Sequence, residues 1–237
     1  MSEPLERAYA AHYAEKRSAV HTYPVEWVVR TFLGTYPRLH MDRARYPGGH
    51  VLDLGFGDGR NFPLFHNLGM RISGVEIADD IVEPVRRKFD AAGVQTDLRV
   101  GRNTRIPFDA GVFDFVVACH SIYYVSPGEC LEDNLAEVAR VIAPGGTLVA
   151  SFPTATCFLV EGAKDVGKGH VEIANDPLGL RIGAIVRPFD SSAEVASTLS
   201  PWFETLALGE CRDDYYGLRH DMWIAACRRR STSPLSP

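Results

Sequence analysis

The segment from Asp53 to Gly59 carries one carboxylate and three glycines in the spacing D-x-G-x-G-x-G. Glycines in such a turn let the backbone approach a ligand without interference from Cβ atoms. The dinucleotide-binding spacing G-x-G-x-x-G is not met, because Arg60 stands where its last glycine belongs. A carboxylate at Asp53 would repel phosphates. The pattern therefore favours a cationic ligand, such as one with an α-amino group.

A second acidic residue, Glu76, ends the next apolar run in Gly74-Val75-Glu76-Ile77. An acid at the end of the second strand can accept hydrogen bonds from both ribose hydroxyls of a nucleoside. Glu76 stands 17 residues after Gly59, close to the interval expected for that role. The two motifs together predict a ligand that contains a ribose.

Apolar runs and helical patterns alternate from about His50 onward. The runs are rich in β-branched residues, which suits a buried parallel sheet. Strands are predicted for the segments 50–54, 71–76, 97–100, 113–119 and 147–152. Between these strands, segments with a helical spacing of apolar residues end at Gly93 and at Pro144-Gly145-Gly146. We expect an α/β fold with an open, mostly parallel sheet, an antiparallel C-terminal strand and helices on both faces.

Three regions stand outside that alternation. Residues 1–48 predict a helical cap, and residues 153–190, rich in Gly, Pro and Asp, predict an irregular insertion on the acceptor side of the sheet. The runs Phe203–Gly209 and Asp221–Cys227 predict an antiparallel pair, with Asp213–Gly217 between them.

Composition limits the function. The 237 residues suit one domain, expected over 1–230, with a disordered tail at 231–237. The net charge of -5 argues against broad nucleic-acid binding. Five scattered cysteines without a C-x-x-C pair predict neither a metal site nor disulfides and fit a cytoplasmic protein. With no run of about 18 apolar residues, no membrane partner is expected.

Four segments resemble class I S-adenosylmethionine-dependent methyltransferases of the bacterial small-molecule type. They occur in the family's order and cover about residues 48–152. The resemblance implies a Rossmann-like fold, S-adenosylmethionine as the cofactor and S-adenosylhomocysteine as the product. The segments are Val51–Asn61, Gly74–Ile77, Gly101–Phe108 with Phe113–Val117, and Leu135–Gly146.

The resemblance also implies roles at the cofactor. Gly55 and Gly57 would contact the methionine end, with Asp53 acting through the amino group or nearby backbone. Glu76 would bind the ribose. Arg102 replaces the usual adenine-binding acid, and Asn103 would supply an amide oxygen instead. The full predicted cofactor set is Tyr13 from an N-terminal helix, Asp53, Gly55, Gly57, Asn61, Glu76, Ile77 packing on the adenine, Asn103, Thr104, Cys119 and His120.

The methyl acceptor should face the end of the fourth strand, because ligands of open α/β sheets bind beyond the carboxyl ends of the strands. Cys119-His120-Ser121-Ile122 stands where relatives that methylate nucleic acids or proteins often carry D/N-P-P-Y, which favours a small-molecule acceptor. His120 is the candidate general base; alternatively it only hydrogen-bonds the cofactor or a loop, and transfer relies on alignment. Further acceptor candidates are Tyr123, Tyr124, His170, Arg181 and Tyr215.

Two other functions stay open. One alternative is a methyltransferase-like protein that binds S-adenosylmethionine without catalysis. The other is a nicotinamide-dependent oxidoreductase. The oxidoreductase is disfavoured by Arg60, by the carboxylate of Asp53 and by the Pro-Gly-Gly sequence that ends a predicted helix. The sequence leaves open which atom is methylated (N, O, C or S), and it leaves the oligomeric state open.

Overall fold

The computed structural model describes residues 3–15 and 22–231. Within these ranges the chain forms strands in two sheets, with helices packed against the larger sheet. The strands are β1 His50–Leu54, β2 Arg71–Glu76, β3 Thr96–Val100, β4 Phe113–Ala118, β5 Tyr124–Val125, β6 Ile142–Pro153, β7 Lys164–Gly167, β8 His170–Glu172, β9 Ile185–Val186, β10 Phe203–Tyr215 and β11 Leu218–Arg229. The helices are α1 Glu3–Glu15, α2 Glu26–Leu33, α3 Phe62–Asn67, α4 Asp79–Ala91, α5 Leu131–Val141 and α6 Ser192–Leu199.

The larger sheet has the strand order β10-β11-β6-β4-β1-β2-β3. Strands β3, β2, β1, β4 and β6 are parallel, while β11 runs antiparallel to β6 and β10 antiparallel to β11. The predicted fold class is therefore confirmed. The chain builds outward from β1 in one direction and then from β4 in the other, so the strand order reverses between β1 and β4. Ligands of open α/β sheets bind at this reversal, beyond the carboxyl ends of the strands.

Two apolar clusters hold the sheet, one on each face. Phe113 and Leu135 belong to one cluster, and Phe32, Phe65 and Phe89 to the other. Every member is removed from water, and burial of such side chains supplies about 1.5–3 kcal/mol each. The two clusters fix the carboxyl ends of β1, β2 and β4 relative to one another.

The segment 153–190, expected to be irregular, contains part of a second sheet with the order β5-β9-β8-β7. The prediction of an irregular segment was wrong here. Its strands are only two to four residues long, too short to show the alternation by which a strand is recognised. The sheet carries a loop, residues 173–184, whose ends are joined by the Ile173 N–H bond to the Ala184 carbonyl at 2.8 Å.

The C-terminal hairpin is longer than predicted. Strand β10 continues through Asp213 and Asp214, which we expected to form a connection, and only Tyr216-Gly217 makes the turn. Both turn residues have positive φ, 55° and 92°, as a two-residue type I′ hairpin turn requires. The predicted tail at 231–237 lies, apart from residue 231, outside the described residues. No helix in the described ranges is long and apolar enough to cross a membrane.

Candidate active site

A cleft of about 960 Å³ lies beyond the ends of β1, β2 and β4. It collects most of the residues that the sequence predicted for the site. Those on its wall are Tyr13, Gly55, Asn61, Glu76, Ile77, Asn103, Thr104, Cys119, His120, Tyr123, Tyr124, Arg181 and Tyr215. Asp53, Gly57 and His170 are not on the wall.

The glycine turn after β1 is packed so closely that side chains are excluded from it. Gly55 and Gly57 have φ of 73° and 57°, the left-handed region that favours glycine. A Cβ at Gly55 would lie 2.6 Å from the Cβ of Ser121, and one at Gly57 would lie 2.5 Å from the Tyr13 hydroxyl. The turn therefore lies between Tyr13 and Ser121, and no side chain projects from its glycines.

Glu76 ends β2 and is 7% exposed. Its Oε1 accepts a hydrogen bond from the Gly57 N–H at 2.8 Å, and its Oε2 accepts one from the Ile77 N–H at 3.0 Å. Burial raises the pKa of this carboxyl, and the two N–H donors partly offset that rise. The carboxylate is thus fixed to the glycine turn and lies on the wall of the cleft.

Asp53 lies beneath the glycine turn and is fully buried. Its Oδ2 accepts a hydrogen bond from Asn61 Nδ2 at 3.3 Å, while Oδ1 has no hydrogen-bond partner among the described residues. Burial raises the pKa of Asp53 to about 7, the Asn61 bond lowers it, and the nearby charge of Glu76 raises it further. Asn61 Oδ1 in turn accepts the Val25 N–H at 3.1 Å. Asp53 therefore reaches the cleft wall through Asn61 and not with its own carboxylate.

Helix α1 covers the turn. The Tyr13 ring lies against Gly57, and burial, together with the charge of Glu76, raises the pKa of its hydroxyl. Glu6 on the same helix forms an ion pair with Arg102 at 2.5 Å. Arg102, the departure from the family pattern, thus holds the helix in place.

The loop after β4 is tied to the loop after β3. Asn103 Nδ2 donates to the backbone carbonyls of Ser121 at 2.9 Å and Tyr124 at 3.1 Å, and this leaves its Oδ1 available to a ligand. Thr104 Oγ1 donates to Glu129 Oε1 at 3.0 Å. Burial raises the pKa of the Cys119 thiol well above its usual value, and the charge of Asp53 adds to the rise. Cys119 is therefore a neutral thiol.

His120 follows β4 in the left-handed region, with φ of 58°. Its Nε2 accepts a hydrogen bond from Trp27 Nε1 at 3.3 Å, and its Nδ1 lies 3.2 Å from Ser151 Oγ. Burial lowers the pKa of His120 to about 3, assisted by the charges of His220 and Arg181. In this structure both ring nitrogens are engaged and the imidazole is neutral.

Residues 52–150 match a family described as a methyltransferase domain. The chain is similar to a demethylmenaquinone methyltransferase of Beutenbergia cavernae, 36% identical over 110 residues, 46% of this chain and 42% of that protein. It is also similar to a ubiquinone biosynthesis O-methyltransferase of Xanthomonas campestris, 29% identical over 134 residues, 53% of this chain and 54% of that protein.

A solved structure of an S-adenosylmethionine-dependent methyltransferase from Methanosarcina mazei has the same fold. The TM-score is 0.62 at 18% identity, over 83% of this chain and 98% of that one. Residues 52–150 therefore match a methyltransferase domain, and the chain shares its fold with an S-adenosylmethionine-dependent methyltransferase. The methyltransferase match runs from β1 into β6 and so includes the glycine turn and Glu76. The chain spans about half, or less, of the length of the two curated relatives named above.

The aromatic wall of the cleft lies partly within that match and partly beyond it. Tyr123 and Tyr124 stack at 4.8 Å between ring centroids, and Tyr9 of α1 packs edge-on to Tyr124 at 6.5 Å. Tyr215 is 53% exposed at the rim. His170, predicted to bind the acceptor, is instead buried in β8 away from the cleft. The reason is strand alternation, which turns the side chain of that position into the protein.

Three residues of the cleft wall were not predicted from the sequence: Trp27, Phe158 and His220. The His220 ring lies 4.7 Å from the His120 ring and 5.8 Å from the Phe158 ring. His220 reaches the cleft because β10 and β11 extend beyond their predicted ends. Trp27 was assigned to an apolar helix face, and nothing in that pattern signals that its indole N–H meets His120. No local motif marks any of the three.

Proposed function

We propose that this protein transfers a methyl group from S-adenosylmethionine to a small-molecule acceptor bound in the same cleft. One observation carries the proposal. The cleft is continuous from the Gly55 turn and Glu76 to the aromatic wall formed by Tyr124 and Phe158. A cofactor on the first part and an acceptor on the second would meet at His120, where the sheet order reverses.

The residues of the first part fit the cofactor. A side chain at Gly55 would collide with Ser121 and one at Gly57 with Tyr13, so the turn stays free of side chains, and Gly55 would offer its backbone to a ligand at close range. Glu76 would hold the ribose hydroxyls, Ile77 would pack on the adenine, and the Asn103 Oδ1 would accept from the adenine amino group. When bound, S-adenosylmethionine supplies a methyl group open to direct displacement by a nucleophile, leaving S-adenosylhomocysteine. Asn61, oriented by the buried Asp53, would contact the amino-acid end.

The acceptor part of the cleft would promote transfer by holding the acceptor in line with the methyl group of the cofactor. His120 is neutral with its Nε2 engaged by Trp27, which supports a positioning role more than proton removal. Fixing two reactants in line can supply several kcal/mol of a barrier. Tyr123, Tyr124 and Tyr215 supply apolar surface and hydroxyl groups for the acceptor. The curated relatives named above, methyltransferases of quinone precursors by their names, support a small-molecule acceptor.

A cytoplasmic location belongs to the same proposal. All five cysteines are unpaired, and free thiols are typical of a reducing compartment. The net charge of -5 supports an acceptor other than nucleic acid.

Calorimetric titration with S-adenosylhomocysteine and with NADH tests the cofactor. We expect binding of S-adenosylhomocysteine and none of NADH; binding of NADH alone would refute the proposal. Incubation with S-adenosylmethionine and fractionated metabolite extract tests turnover through release of S-adenosylhomocysteine. Tight cofactor binding without release from any fraction would favour a binding protein without methyl transfer.

A further inference from the structure

Arg181 lies on the acceptor wall of the cleft. It belongs to the loop of residues 173–184, and its side chain is only 20% exposed. Its guanidinium carbon is 5.7 Å from the centroid of the Phe158 ring, which itself contacts His220 beside His120. The Phe158 and His220 rings therefore lie between the guanidinium and His120, where the acceptor would meet the cofactor.

The loop is built to hold this arginine. The Asp176 carboxylate is buried and accepts backbone N–H bonds from Leu178 at 3.0 Å and from Leu180 and Arg181 at 2.9 Å. Burial raises the pKa of Asp176, but those N–H donors and the charge of Arg181 outweigh it and leave the pKa low. Asp176 is therefore ionised, and its main hydrogen bonds shape the loop.

The guanidinium keeps donors for another partner. Within the described residues its side-chain hydrogen bonds use Nη1 alone, to Asp176 Oδ1 at 3.3 Å and Oδ2 at 3.2 Å. Charge-assisted N–H bonds to carboxylates are usually about 2.7–2.9 Å, so this contact is a loose one. The Nε and Nη2 donors remain unused, and a partly buried arginine favours a bidentate anionic partner.

The surroundings of Arg181 are aromatic. Besides Asp176, the side chains of Tyr9, Tyr123 and Tyr124 lie close enough to interact with the charge of Arg181, and each carries a hydroxyl on an apolar ring. Burial and the charge of Arg181 both lower the pKa of His220, so that imidazole adds no positive charge. A flat apolar molecule with one anionic oxygen group matches a guanidinium set among aromatic rings.

We propose that Arg181 binds an anionic oxygen group of the methyl acceptor, and that the acceptor is an aromatic or similarly flat carboxylic acid or acidic phenol. The inference rests on the proposed function, since it concerns the acceptor of that same site. Asp176 is a positioning residue, because it shapes the loop and touches the guanidinium without facing the acceptor. A cationic acceptor would meet the like charge of Arg181 and is disfavoured.

Two pairs of probes test this in protein saturated with S-adenosylhomocysteine. The first pair is 4-hydroxybenzoate and its neutral analogue 4-hydroxybenzamide, for a carboxylate. The second pair is 4-nitrophenol, under alkaline conditions that ionise it, and 4-nitroanisole, for a phenolate. We expect the anion of at least one pair to bind about 10-fold or more tightly than its neutral analogue, and the pair that discriminates identifies the acidic group.

Arg181→Met should abolish that preference and leave the affinity for S-adenosylhomocysteine within about two-fold. Arg181→Lys, which keeps the charge but loses the planar fork, should retain part of the preference. The matched control is Arg87→Met, an exposed arginine on α4, which should behave as wild type.

The outcomes separate the two proposals. Equal binding of acid and neutral analogue in both pairs, or a preference that survives in Arg181→Met, would overturn the role of Arg181 and leave the proposed function standing. Failure of the wild-type protein to bind S-adenosylhomocysteine would overturn the proposed function and this inference with it. Retained binding of S-adenosylhomocysteine by Arg181→Met shows that the variant is folded.

Discussion

The indole N–H of Trp27 donates a hydrogen bond to Nε2 of His120 across 3.3 Å. An indole nitrogen can only donate, so Nε2 must carry its lone pair and the proton of the neutral ring must sit on Nδ1. Nδ1 then donates to Ser151 Oγ, 3.2 Å away. Trp27 thereby determines the tautomer of His120 and stabilises the neutral imidazole.

Trp27→Phe should raise the pKa of His120 from its lowered value of about 3. The change removes a donor that stabilises only the neutral ring, and so the cost of protonation falls. Titration of the His120 ring protons by NMR measures the shift. Trp202→Phe, on the far side of the domain after α6, is the control and should leave the pKa unchanged. An unchanged pKa in Trp27→Phe would show that burial alone keeps the ring neutral.

His120→Asn should lower kcat by less than about 10-fold once an acceptor is known. Asparagine tolerates the left-handed backbone at this position better than most residues, so the loop keeps its shape. Loss of a general base typically costs about 10²–10⁴-fold. A loss of that size, together with an inflection in the wild-type pH–rate profile that vanishes in the variant, would establish His120 as the base.

Glu76→Gln should weaken binding of S-adenosylhomocysteine by about 10-fold or more, since hydrogen bonds to a charged acceptor contribute about 1.5–3 kcal/mol. Glu76 now accepts hydrogen bonds from two backbone N–H groups, and the amide NH₂ of glutamine cannot accept from one of them. Isothermal titration measures the loss. Glu83→Gln is the matched control, because Glu83 lies on α4 with 43% of its side chain exposed. Wild-type affinity in Glu76→Gln would remove this residue from the ribose site.

Gly57→Ala should abolish detectable binding of S-adenosylhomocysteine. Its Cβ would lie 2.5 Å from the Tyr13 hydroxyl, so either the turn or α1 must move. Gly93→Ala provides the control, because Gly93 also has positive φ, 71°, but its Cβ would meet nothing within 4 Å. That variant should lose about 1–2 kcal/mol of unfolding free energy and bind normally. Equal binding by both variants would contradict the packing described for the turn.

Stability should respond to pH in opposite directions at Asp53 and His120. The folded protein protonates Asp53 near pH 7 and the unfolded chain only near 3.8, so this group stabilises at low pH and loses that effect as pH rises through about 7. The unfolded chain protonates His120 near 6.5 and the folded protein only near 3. Its contribution is therefore present above 6.5 and is lost as pH falls.

Calorimetry of the ligand-free protein between about pH 5 and pH 7 checks both signs. Asp53→Asn should make the melting temperature fall more steeply with acidification than in wild type. His120→Asn should make it fall less steeply. A change of slope in the same direction for both variants would contradict the opposite shifts of the two pKa values.

The meeting of the glycine turn and Glu76 at the cleft could be predicted because these residues are close in the sequence. Gly55 and Gly57 stand in one turn, and Glu76 ends the next strand, so a short stretch of sequence carries the whole pattern. Strands β1 and β2 were predicted with their observed bounds, since continuous apolar runs between turn residues leave little choice of register.

The aromatic wall of the cleft could not be predicted in the same way. Trp27 and His120 are 93 positions apart, and Phe158 and His220 meet only because β11 pairs with β6 at the far end of the sheet. Arg181 was among the predicted residues, but its orientation depends on backbone N–H bonds to Asp176. Tertiary pairing over such separations leaves no periodic trace in the sequence.

Tyr9 and Tyr13 are one helical turn apart on α1. Tyr13 covers the glycine turn, and Tyr9 packs against Tyr124 on the acceptor wall. A rigid helix cannot leave one of these contacts without disturbing the other. On the proposed function, displacement of α1 would open both parts of the cleft together, so the rates of cofactor exchange and of acceptor access should be correlated across variants of α1.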